Sequence, residues 1–239
     1  MNDLQSHYDR IWESMEFPPY LQSIQSAIET LNVTSDSRIL DIACGNGAIG
    51  RWMFKQYGCR MYGVDMSPVA LEACRKAGYE TRQLNLDSDV FPYNGKEFDM
   101  VLLNAVLEHV IDPRDVLKTG WDRLRPGGKI VVLTPNICWI VNRLLFLSGK
   151  WDHRLMGGTR GHISYMNKSQ LEQAMTDAGF GKLDWSFSPM CVAGNSKTCT
   201  QGLTGMVIQF LNNRRVHTWQ SLWAFNFVVI GTKKDGKIK

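Results

Sequence analysis

From residue 38 onward the chain repeats one pattern, a short apolar run, a turn, then a stretch with helical spacing. Apolar runs at 38–43, 60–64, 81–86, 98–104 and 129–134 alternate with helical stretches at 49–57, 68–77 and 112–124. Strands separated by helices join through right-handed crossovers, so the alternation predicts an α/β, Rossmann-like architecture around a mainly parallel sheet. Asp112-Pro113 opens the third helix and Pro126-Gly127-Gly128 turns the chain into the strand that follows.

Outside this block the signals thin. Ile11, Met15, Leu21, Ile24, Ala27, Ile28 and Leu31 have helical spacing, which predicts one or two helices before residue 32, broken at Pro18-Pro19. Residues 136–166 read as a long connection with its own helix, 168–178 as a helix stopped by Gly179, and 225–232 as a further strand. The stretch 189–223 carries no pattern that assigns it. With 239 residues and no linker the expectation is one domain, with 1–32 a helical lid, 38–134 a ligand-binding half and 135–239 a second half containing the 136–166 segment.

Composition narrows the class further. An apolar fraction of 44% and a charged fraction of 21% describe an ordinary globular chain, not a disordered one. The formal charge is +4, and basic residues cluster only in the tail from Lys233 to Lys239, so nucleic acid is not expected as a partner. The start carries no basic-then-apolar leader, and the most apolar candidate, 137–147, is interrupted by Asn142 and Arg143, which points to a cytoplasmic protein without membrane insertion. Six cysteines form no C-x-x-C pair, so neither disulfide nor metal site is expected.

The loop Leu40-Asp41-Ile42-Ala43-Cys44-Gly45-Asn46-Gly47-Ala48-Ile49-Gly50 sets glycines at a strand-to-helix turn. Gly45 and Gly47 let backbone pass close to a ligand, and the next helix offers its N-terminus, which suits a nucleotide-like cofactor. Residues 45–50 also satisfy the dinucleotide pattern G-x-G-x-x-G. Asp41 separates the two: a carboxylate just before the glycines repels a pyrophosphate and attracts the sulfonium and α-ammonium of S-adenosylmethionine. The Tyr-x-x-x-Lys relay of short-chain dehydrogenases is missing at all seven tyrosines. Asp65 ends the second strand about 20 residues beyond the loop, where a carboxylate accepts ribose hydroxyls. Asp87 ends the third and suits the adenine amino group, with the Ser88 amide facing a ring nitrogen.

Together these residues closely resemble class I methyltransferases, and within them the group containing quinone-pathway O-methyltransferases and enzymes that modify bacterial surface glycans. The resemblance rests on the glycine loop, Gly63-Val64-Asp65-Met66-Ser67, Asn85-Leu86-Asp87, Phe98-Asp99-Met100-Val101, Leu107-Glu108-His109-Val110 and Leu124-Arg125-Pro126-Gly127-Gly128, and covers residues 38–134. It implies a seven-stranded sheet with S-adenosylmethionine held by Asp41, Ala43, Cys44, Gly45, Gly47, Asp65, Met66, Asp87, Ser88 and Asn104. Asn104 would lie beside the methionine part. Ala43 stands where such loops more often have glycine.

A looser resemblance runs through Thr134-Pro135-Asn136 to Gly161-His162-Ile163-Ser164-Tyr165, a segment that in relatives forms part of the acceptor pocket; Ser164 stands where an Arg is common. It implies His162 as general base beside the donor sulfur, with His109, Asn136, His153, Arg154 and Tyr165 on the acceptor side. Tyr8 and Trp12 share one helix face and suit closure over the donor, the acceptor pocket, or plain core packing. The expected activity is methyl transfer to a small-molecule hydroxyl on a sugar, lipid-linked or phenolic compound. N-methylation of an amine, a donor-binding subunit without activity, and a nicotinamide oxidoreductase are the other readings.

Overall fold

The computed structural model describes residues 2–14, 21–150, 161–188 and 221–234. In chain order its elements are α1 (Asn2–Ser14), α2 (Leu21–Ile28), β1 (Arg38–Ile42), α3 (Ala48–Tyr57), β2 (Arg60–Asp65), α4 (Pro68–Lys76) and β3 (Glu80–Gln83). There follow β4 (Phe98–Asn104), a single 3-10 turn (Leu107–His109), α5 (Pro113–Arg123), β5 (Leu124–Pro135), α6 (Ile140–Leu147), α7 (Lys168–Asp177), β6 (Phe180–Ser188) and β7 (Asn226–Lys233). Among these, no helix is long and apolar enough to cross a membrane.

The strands form one seven-stranded sheet in the order β3-β2-β1-β4-β5-β7-β6. β1 to β5 run parallel, and β7 lies antiparallel between β5 and β6. Side-chain alternation along the central strands divides the core in two. Leu40, Ile42, Val101, Leu103, Ile130, Val132, Phe227 and Val229 meet α5 and α7 on one face through Val116, Leu117, Leu171 and Met175. Ile39, Met100, Leu102, Val131, Leu133, Val228 and Ile230 meet α2, α3 and α4 on the other through Ile24, Ile28, Ile49, Met53 and Leu71. Burial on both faces is why the central strands read as near-continuous apolar runs.

Caps fix the helix starts that the sequence marks. Ser67 accepts from the Ala70 amide before Pro68, Asp112 accepts from Arg114 before Pro113, and Asn167 forms a reciprocal capping box with Gln170.

Three strands depart from expectation. β5 begins at Leu124 and takes in Pro126-Gly127-Gly128, ahead of the expected start at 129. β3 stops at Gln83, short of residue 86, because Asn85, Asp87 and Asp89 turn the chain on themselves: Asn85 N donates to Asp89 Oδ2 at 2.8 Å and Asp87 N to Asn85 Oδ1 at 3.1 Å. β6 was not expected as a strand. Its inner residues Leu183, Trp185 and Phe187 alternate with exposed Lys182, Asp184 and Ser186, the signature of a half-solvated edge.

The chain order reverses between β1 and β4, which sit side by side while their helices leave to opposite faces. A sheet of this kind opens a crevice beyond the carboxyl ends of its strands at such a point. The positions that end there are those of the site.

Candidate active site

A cleft of about 310 Å³ opens beyond the carboxyl ends of the parallel strands. Ile42 pairs with Val64 on one side and Leu103 on the other, so the next residues, Ala43, Asp65 and Asn104, reach the cleft floor at one level. Asp41 lies one turn of the pleat below, 3% exposed, and makes no side-chain hydrogen bond or ion pair with any described residue. Burial, with the Asp65 charge beside it, pushes its carboxyl up to about 8. An uncompensated buried carboxyl is costly, and a cation bound in the cleft removes the cost.

Asp65 is better satisfied. Its Oδ2 accepts from Gly45 N at 2.8 Å and its Oδ1 from Ser67 N at 2.9 Å, tying the glycine loop to the end of β2. Burial raises its carboxyl to about 6 against the opposing pull of these backbone amides. The loop takes the geometry this demands: Gly45 has φ +52° and Gly47 φ +73° at the N-cap of α3. Ala43 adopts φ +54° without being glycine, and Ala105, at the end of β4, does the same. Left-handed alanines of this kind carry strain of about 1–2 kcal/mol each, and both line the cleft.

Of the other residues expected at the donor, Cys44 and Met66 line the cleft. Cys44 is buried with its Sγ 3.6 Å from that of Cys74; contact with that thiol, then burial, holds it above the ordinary thiol range, so it is an inert wall. Asp87 lines the cleft and accepts from Ile111 N at 2.9 Å through Oδ1. The Ser88 amide donates to Asn85 O at 3.3 Å within its own turn. Asn104 lines the floor, and its buried Oδ1 has no hydrogen-bond partner among the described residues. Two unsatisfied acceptors, Asp41 and Asn104 Oδ1, on a floor beside bare glycine backbone fit the ammonium and sulfonium of S-adenosylmethionine and do not fit a diphosphate.

Helix α1 lies across this cleft. The Tyr8 hydroxyl is 3.1 Å from His109 Nδ1, Ser67 Oγ donates to Asp9 Oδ1, and the Trp12 ring packs on Gly45, where a Cβ would fall 2.3 Å from its Cη2. The Tyr8 phenol is pushed up to about 12, first by burial and then by the Asp65, Glu108 and Asp87 charges, so it keeps its proton.

The 3-10 turn contributes Glu108 and His109 to the cleft, and the segment 161–167 contributes His162. His109 and His162 meet edge to face, ring centroids 4.6 Å apart, and both line the cleft. His109 Nδ1 also lies 3.3 Å from Gly161 O, which holds the turn and the segment together. Tyr165 lies 6.0 Å from His162, with its hydroxyl buried. Asn136 is wholly buried and structural in its contacts: its Nδ2 donates to Ser221 O at 2.6 Å and Ala224 O at 2.9 Å. His153 and Arg154 lie outside the described residues.

Glu108 was not foreseen as a site residue. It is 2% exposed, lines the cleft, accepts from Thr134 Oγ1 at 3.3 Å, and is pushed up to about 8 by burial. The signal was present in Leu107-Glu108-His109-Val110, where an acid stands inside a run that must be buried.

A family model described as a methyltransferase domain matches residues 16–184, and the chain belongs to that family. It is a class I S-adenosylmethionine-dependent methyltransferase with a mixed seven-stranded sheet. A ubiquinone biosynthesis O-methyltransferase from Coxiella burnetii (strain Dugway 5J108-111) is 26% identical over 163 residues, 66% of this chain and 69% of the relative. Another so named, from Ruegeria pomeroyi, is 34% identical over 158 residues, 62% of this chain and 61% of the relative. Among solved structures, an S-adenosylmethionine-dependent methyltransferase from Mesorhizobium loti superposes with a TM-score of 0.58 at 16% identity, covering 90% of this chain and 98% of that one. Phosphoethanolamine N-methyltransferase 2 from Haemonchus contortus, in complex with S-adenosyl-L-methionine, gives 0.57 at 17%, covering 90% and 53%. These two likenesses show the fold.

Proposed function

We propose that the chain methylates a hydroxyl of a small phenolic acceptor, with His162 taking the hydroxyl proton. The observation that carries this reading is the His109–His162 pair lining the same cleft as Asp41 and Asp65. A hydroxyl must lose its proton as it becomes a nucleophile, and a neutral imidazole is the side chain best matched to take it near neutral pH. His109 Nδ1 lies within hydrogen-bond reach of the Tyr8 hydroxyl and Gly161 O, which ties it to α1 and to the 161–167 segment.

S-adenosylmethionine, when bound, supplies an electrophilic methyl group on a positively charged sulfur. The protein's tasks are then alignment and exclusion of water. Asp65, Gly45 and Asp87 orient the nucleoside end, Asp41 and Asn104 the amino-acid end, and the Trp12 and Tyr8 rings close the side left open by the sheet. Walls of Leu86, Val106, Val110 and Phe225 suit a flat apolar ring. The names of the Coxiella and Ruegeria relatives favour a phenolic hydroxyl over a sugar.

The test offers ¹³C-methyl-labelled donor with 3,4-dihydroxybenzoate, a methyl hexoside and a primary arylalkylamine in parallel. The expected product is a methoxybenzoate ether carrying the label. Label on the amine nitrogen, with the phenol untouched, would overturn the hydroxyl reading.

A further inference from the structure

Glu108 is buried without the partner that would account for its charge. Besides its own backbone amide, its carboxyl has one side-chain hydrogen bond among the described residues, from Thr134 at 3.3 Å, and forms no ion pair there with Lys or Arg. A glutamine would keep that bond at lower desolvation cost. What the carboxyl does face is the histidine pair: one of its oxygens and one ring nitrogen each of His109 and His162 all lie within 4.8 Å of one another. The same residue holds the second histidine in place through its backbone, since Glu108 O accepts from Ile163 N at 2.8 Å and Ser164 N at 3.1 Å.

We infer that Glu108 is a positioning residue for methyl transfer, its carboxylate being the counter-charge for the imidazolium formed when His162 takes the acceptor's proton. This rests on the hydroxyl-acceptor reading above. In the step, the acceptor O–H bond breaks and its proton passes to a His162 ring nitrogen. An oxygen lone pair makes the new bond to the methyl carbon, and the electron pair of the broken carbon–sulfur bond remains on sulfur. The proton and the positive charge thus end on the imidazole, a few ångströms from Glu108.

The groups facing this carboxyl are Thr134 from β5, His109 in its own turn, His162 and Tyr165 from residues 161–167, and Tyr8 from α1, on which Asp65 and Asp87 also act. Burial pushes the Glu108 carboxyl up to about 8, and a protonated imidazole beside it favours the charged carboxylate.

The experiment is an NMR titration of the histidine imidazoles in wild type, Glu108→Gln and Thr134→Val, with S-adenosylhomocysteine and EDTA present and His162→Ala assigning the resonance. Glu108→Gln is expected to lower the His162 midpoint by about one pH unit, the shift an adjacent carboxylate imposes. Thr134→Val loses the hydrogen bond that a glutamine can keep but retains the carboxylate, and its midpoint stays close to wild type. An unchanged midpoint in Glu108→Gln, or an equal fall in Thr134→Val, overturns the proposal. So does a wild-type midpoint that moves when EDTA is withdrawn, because a cation would then be the charge facing the ring. Phenol methylation retained in His162→Ala defeats His162 as the base on which this rests, whereas transfer lost there with no shift in Glu108→Gln defeats only the role of Glu108.

Discussion

Replacing Asp65 with alanine is expected to weaken S-adenosylmethionine binding by about a hundredfold or more, measured by calorimetry at fixed pH. The residue does two things at once. Its carboxylate holds the Gly45 and Ser67 amides at 2.8 and 2.9 Å, which shapes the loop, and it is the acidic group nearest the expected ribose position at the end of β2. Charge-assisted hydrogen bonds contribute about 1.5–3 kcal/mol each, so losing two in the complex corresponds to at least two powers of ten in affinity. Asp65→Asn separates the effects, because an amide still accepts from one of the two backbone groups but carries no charge. Affinity in Asp65→Ala near that of wild type, with the protein folded, would remove this carboxylate from the donor site.

His162→Ala is expected to lower kcat by about 10²–10⁴ on a phenolic acceptor, the contribution usual for a general base, while donor affinity stays at the wild-type level. The loss should shrink as the acceptor phenol is made more acidic, since an acceptor already ionised in water needs no base. A rate series over substituted phenols checks this. Wild-type turnover in the variant, or a loss that does not vary with phenol acidity, would take His162 out of the proton-transfer step.

Much of the donor side was legible in the sequence because parallel strands buried on both faces announce themselves, and the residue that ends each one is set by register. Ala43, Asp65 and Asn104 arrive together, with Asp41 one step below, because β1, β2 and β4 are adjacent and in phase. The Ala43 departure from the glycine pattern turns out to fall on a residue with φ +54°, so the loop keeps its shape at the expense of strain.

The rest was hidden for identifiable reasons. β6 is an edge strand with one wet face, and Gly179 and Gly181 at its start make its alternation look like a turn. β3 ends before the expected residue 86 because the Asn85-Leu86-Asp87 run is apolar only at its centre, and the side chains of Asn85 and Asp89 bond to local amides. Asn136 lies next to the cleft in sequence, yet its amide faces inward to carbonyls at 221 and 224, a long-range pairing that spacing cannot reveal. Glu108 was passed over because a one-turn helix has no periodicity from which to read its buried side. The packing of Trp12 on Gly45 joins residues 33 positions apart and depends on how α1 crosses the sheet, which local pattern does not fix.

The central claim is that buried carboxylates grip a cationic donor, and donor affinity as a function of pH tests it most directly. Asp41 and Asp65 are held up near 8 and 6 by burial, so below those values the donor-free cleft carries extra protons. A bound cation favours the charged carboxylates and lowers both values, hence binding releases protons and strengthens as pH rises through them. Calorimetric titration with S-adenosylmethionine from pH 5.5 to 8.5, in buffers of differing ionisation enthalpy, should show affinity rising about tenfold or more up to pH 8 with protons released. An affinity flat across that range, or one that falls as the carboxylates ionise, would contradict the account.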